Sequence, residues 1–130
     1  MGCDIHICVE LQEYGGMWEP AILEHGAYDT RNYAVFSKLA GVRGDLLPIA
    51  EPRGLPKDVS REVANQFENG MGDHTPSYLT VKEILDAPWS DEEALQCSEF
   101  LEWLKFKGTW LEYVIQDTPE KVRLVFNFDS

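Results

Sequence analysis

Residues 3–11 alternate strictly. Cys3, Ile5, Ile7, Val9 and Leu11 fall to one side, and Asp4, His6, Cys8 and Glu10 to the other. A period of two marks a half-buried strand. Gly15 and Gly16 turn the chain, and residues 18–23 return as the second strand of a hairpin. Thr30 reads as the N-cap of a helix over 31–40, with Val35, Phe36, Leu39 and Ala40 as its apolar side and Gly41 as its stop. Residues 41–56 hold three glycines and three prolines, so they read as a long loop, and long loops in small domains are often functional. A second helix is expected over 58–68, on Val59, Val63 and Phe67. Residues 70–77 read as another loop, carrying Asp73 and His74.

Two helix starts follow. Thr80 with Glu83, and Ser90 with Glu93, each make a capping box. The first helix stops at Pro88. The second is expected to run to about residue 106, burying Ala94, Cys97, Leu101 and Leu104, with Gly108 ending it. Residues 110–115 and 122–128 are strand-like and joined through a turn at 117–119. In the last strand Val122, Leu124, Phe126 and Phe128 share a face, and Arg123, Asn127 and Asp129 share the opposite one.

Strands at both ends with helices between them predict a single α+β domain over 1–130. It should carry one antiparallel sheet of about four strands, built from N- and C-terminal hairpins, with about four helices packed mainly on one face. First and last strands often adjoin in such folds, which would bring Asp4 and His6 near Asn127 or Asp129.

Composition narrows the class. Of 130 residues, 44% are apolar and 12% aromatic, enough for a packed core and too much for a disordered chain. No run of 18 apolar residues crosses a membrane. The start lacks the basic and apolar regions of a signal peptide, and His6 stands where a myristoylation motif needs Ser or Thr. Cys3, Cys8 and Cys97 form no Cys-x-x-Cys pair, as expected of reduced thiols in a cytoplasmic protein.

The net charge is −12, which excludes generic nucleic-acid binding, since phosphate contacts need a basic surface. The charge is uneven. Over 31–61, Arg31, Lys38, Arg43, Arg53, Lys57 and Arg61 stand against Asp45, Glu51 and Asp58, a local +3, and the rest of the chain carries −15.

Six stretches carry a resemblance: MGCDIH at 1–6, RNY at 31–33, LAGVRG at 39–44, EPRGLP at 51–56, DHTPSYLT at 73–80 and VFNFD at 125–129. Together the chain resembles a family of short phage and prophage proteins. The resemblance implies a phage source, a host-cell setting and a set of positions to examine. It implies no mechanism. It leaves out residues 87–120, and Ser130 stands where such a protein is expected to end in Asn.

Three readings of the chemistry stay open. In the first, a phosphorylated, nucleotide-like ligand is held to counter host defence signalling. Arg31, Arg43 and Arg53 would grip phosphate, since guanidinium forks match it, and Arg31 would also use a helix N-terminus. Asp4, His6, Asn32 and His74 would read polar groups, and Tyr33 or Tyr78 would stack. In the second, Asp4, His6 and His74 hold zinc or another divalent metal for a hydrolase. In the third, the acidic surface around Asp91, Glu92, Glu99 and Glu102 covers a basic host protein. No cofactor is firmly implied, and self-association is left open.

Overall fold

The computed structural model describes residues 2–23, 27–68, 70 and 72–130. It is an α+β fold built on one four-stranded antiparallel sheet. The strands are β1 (Asp4–Gln12), β2 (Trp18–Ile22), β3 (Asp73–Thr80) and β4 (Val122–Asp129), in the order β2-β1-β4-β3. The helices are α1 (Tyr33–Ala40), α2 (Arg61–Glu68), α3 (Val81–Asp86), α4 (Asp91–Gln96), α5 (Ser98–Trp103) and α6 (Leu111–Asp117), with a 3-10 turn at Pro119–Lys121 before β4.

The first and last strands adjoin, as expected for a sheet with strands from both ends of the chain. Asp4 faces Asp129, and His6 faces Asn127. On one sheet face Ile5, Ile7, Val9, Leu79, Leu124, Phe126 and Phe128 meet Phe36 and Leu39 of α1, Ile84 of α3, Phe100 of α5 and Leu111 of α6 in the main core. α4 leans on α1 through the ion pair between Lys38 and Glu93. On the opposite face Cys8 and Val125 meet Val63 and Phe67 of α2 in a smaller cluster. Because β4 is central and covered on both faces, seven of its eight residues are buried.

Three elements differ from the sequence expectation. The fourth strand is Asp73–Thr80, not residues 110–115, so β4 pairs with β1 and β3 and closes no C-terminal hairpin. Pro76 is tolerated because β3 is an edge strand, and the register slips between His74 and Ser77, where Thr75 takes a left-handed φ of 53°. Residues 111–117 form a helix because Leu111, Val114 and Ile115 recur at helical spacing and face the core, leaving Trp110 and Tyr113 exposed. The long helix over 90–106 is two short ones, broken at Cys97.

α1 also starts later than its sequence suggests. Its N-cap is Asn32, whose side chain accepts from the N–H groups of Ala34 and Val35. Thr30 is not the cap, and Arg31 lies ahead of the helix.

Candidate metal centre and neighbouring cleft

The alternation that buries Ile5 and Ile7 turns Asp4 and His6 to the other face of β1. Antiparallel pairing then sets Asn127 and Asp129 of β4 beside them, and Asp73 of β3 opposite Asp129. One end of this face is therefore polar, and α2 covers the middle of it.

Within that end His6, Asp73 and Asp129 stand together, each offering one ligand atom, all within 4.8 Å of one another. His6 Nε2 is bonded to Asp129 Oδ2. Asn127 Nδ2 donates to Asp73 Oδ2 at 3.0 Å. Asn127 is 3% exposed, yet its Oδ1 has no hydrogen-bond partner among the described residues. A buried orphan acceptor of this kind costs on the order of 1–3 kcal/mol unless something occupies its lone pairs. Gly70 packs against the same carboxylate, since a Cβ built there would fall 1.7 Å from Asp73 Oδ2. His6 and Asp129 keep partial access to solvent, with side-chain exposures of 25% and 36%.

Arg31 borders the cluster. Its Nε and Nη2 both lie 2.9 Å from Asp4 Oδ1, and the carboxylate pushes the guanidinium pKa further up. Behind them is the Cys3 thiol. Burial raises its pKa most, Arg43 lowers it, and Asp129 and Asp4 raise it. Cys3 therefore lies in the field of all these charges. Tyr33 ties the start of α1 to this strand end, its hydroxyl accepting from the Cys3 N–H at 3.1 Å.

A cleft of about 620 Å³ opens on the other side of Tyr33, between the loop 43–46 and the start of α4. Arg43, Asp45, Ser90, Glu92 and Gln96 are among its lining residues. The Arg43 guanidinium sits 6.0 Å from the Tyr33 ring centroid.

The residues singled out in the sequence divide accordingly. Asp4, His6 and Arg31 are at the polar end of the sheet. Tyr33 and Arg43 are at the cleft. Asn32 is spent on capping α1 and on donating to the Gln96 carbonyl at 3.0 Å. Arg53 forms a two-pronged bond with Glu83, at 3.0 and 2.6 Å, and lies 5.4 Å from the Tyr78 ring. The three arginines thus have separate settings and do not form one phosphate grip. His74 pairs opposite Phe128, on the core side of the sheet, and bonds Thr75 and Ser130. It points away from His6, so the Asp4, His6 and His74 triad does not assemble. Asp73 takes the place that reading gave to His74, and Asp129 the place it gave to Asp4, which Arg31 occupies.

The strand parity of Asn127 and Asp129 was readable in sequence. Asp73 was not, because its stretch looks like a loop. Comparison with protein-family models, with curated proteins and with solved structures finds no match.

Proposed function

We propose that this protein binds one divalent metal ion through His6, Asp73 and Asp129, completed by the Asn127 side-chain oxygen, and works as a metal-dependent hydrolase. The observation that carries the reading is the convergence of one imidazole and two carboxylates from three adjacent strands beside a buried amide oxygen that has no partner among the described residues.

Imidazole with carboxylates suits zinc, manganese or ferrous iron. With bonds of about 2.1 Å, ligand atoms around one ion stand at most about 4.2 Å apart. The three ligand atoms lie within 4.8 Å of one another, and His6 and Asp129 would exchange their direct bond for bonds to the ion. Without a cation, the grouping of Asp4, Asp73 and Asp129 repels an anionic ligand. A cation held by these residues would supply Lewis-acid chemistry and would lower the pKa of a water bound to it. Arg31, held by Asp4, borders this centre.

Elemental analysis of protein purified without added metal tests this. About one equivalent of metal is expected, falling below about a tenth in His6→Ala and in Asp73→Asn. A metal-free wild type whose melting temperature is unmoved by zinc or manganese would sink the reading.

A further inference from the structure

The cleft beside Tyr33 holds features that the metal reading does not use. Arg43 is the first. Among the described residues its guanidinium has no ion pair, although Asp45, Glu92 and Glu93 line the same cleft. In a chain of net charge −12, an arginine left unpaired beside three carboxylates keeps its donors available.

Its backbone is the second. Arg43 adopts φ of 62°, the left-handed region that an arginine enters only when its surroundings impose it, at a cost of about 1–3 kcal/mol. Those surroundings are visible. The Leu46 N–H bonds Ser37 Oγ at 3.3 Å, and the Ile49 N–H bonds the Lys38 carbonyl at 2.8 Å. The Pro- and Gly-rich loop is thereby fastened along α1 and presents Arg43 from a fixed wall.

Glu93, in the lining, is the third. Lys38, 4% exposed, pairs with Glu93 at 3.3 Å and lies 5.0 Å from the Trp89 ring centroid. Glu93 is thereby neutralised, and its carboxyl is held below the usual range by the Ser90 N–H and then by Lys38. The charges left to meet a ligand are Arg43 and Asp45 on the loop wall and Glu92 on the α4 wall.

We propose that this cleft is a binding site for a nucleoside monophosphate. The phosphate pairs with the Arg43 fork, and amino and hydroxyl donors of the base and sugar go to Asp45 and Glu92. A volume near 620 Å³ lies within the range of small-molecule sites, and inorganic phosphate alone would leave both carboxylates unmatched. The site does not depend on a metal.

The test is a thermal-shift titration of chelator-treated protein with each of the four ribonucleoside monophosphates and with inorganic phosphate. At least one nucleotide is expected to raise the melting temperature at about 1 mM, by mass action on the folded state. Arg43→Asn keeps a residue that tolerates left-handed backbone and removes the guanidinium. It is expected to weaken binding at least about tenfold. His6→Ala is expected to leave binding unchanged, so loss of metal and loss of nucleotide are read separately. No shift with any nucleotide, a shift that survives Arg43→Asn, or a shift that phosphate alone reproduces would each overturn the proposal.

Discussion

Gly44 shows how closely the cleft wall is fitted. A Cβ at this position would fall 2.5 Å from the Tyr33 carbonyl oxygen and 2.6 Å from Ser37 Oγ. The first of these is backbone and cannot swing aside. Gly44→Ala must lift the loop from α1, and overpacking of this kind costs about 1–3 kcal/mol. Urea denaturation of the variant should show that loss. An unchanged midpoint would mean that the loop gives way freely, and Arg43 would then not be held by its wall. Asn127 is the counterpart at the other site. Its placement follows from strand parity, whereas its unmet oxygen becomes apparent only when β3 is in place beside it.

At the scale of elements, the start of α3 is coupled to the long loop. Thr80 and Glu83 form a capping box, and Arg53 reaches in from the loop to grip the same glutamate. That grip is the main reason the Glu83 carboxyl lies below its usual range. Burial opposes it, and the Thr80 N–H assists it. A lowered folded pKa stabilises the fold above the unfolded value of about 4.3. The contribution disappears as pH falls through the lower folded value. Glu83→Gln retains the capping pattern and removes the charge. For a pair this exposed it should cost up to about 1 kcal/mol at pH 7. The gap between variant and wild type should narrow steadily below about pH 4.3 and vanish in stronger acid. Urea midpoints at pH 7, 5 and 3 check this, and a gap unchanged at pH 3 would refute it.

The element scale is also where the sequence reading divides. β1 and β4 were legible because their alternation is strict and their apolar sides face one core. β3 was not, since Pro76 and the irregular Thr75 look like loop residues, and an edge strand forgives both. The aromatic and branched residues of 110–115 resemble a strand, but the helical spacing of Leu111, Val114 and Ile115 prevails because it lets all three reach the core. α2 was legible, but the face it covers was not.

For the whole molecule, the layers are joined by a buried ionic network. Arg123 of β4, 3% exposed, meets Glu10 of β1 at 2.7 Å, and Glu10 is fully buried. Arg123 also bonds Asp58 at 3.0 Å and lies 4.1 Å from the Trp18 ring centroid. Glu10 in turn accepts from the Ser60 N–H at 2.8 Å, just before α2. Removing one member strands a buried charge, so Arg123→Ala should lose about 3–5 kcal/mol in equilibrium unfolding. Replacing Arg123 and Glu10 together by Met and Leu should lose clearly less. Equal losses would show that packing, not charge, holds the strands there. The local +3 is met from outside its stretch, where Asp4, Glu93 and Glu83 pair with Arg31, Lys38 and Arg53.

Taken alone, the sequence determines the α+β class, the capping boxes and the polar side of β1 and β4, since each follows from local periodicity or from contacts a few residues apart. Tertiary structure alone decided that Asp73 joins His6 and Asp129, that His74 turns away, that Arg31 and Arg53 are held by carboxylates, and that Arg43 is left on a cleft wall. Those outcomes depend on which strand takes the edge beside β4 and which face α2 covers. Both are set by pairing and packing between distant segments, which local spacing does not encode.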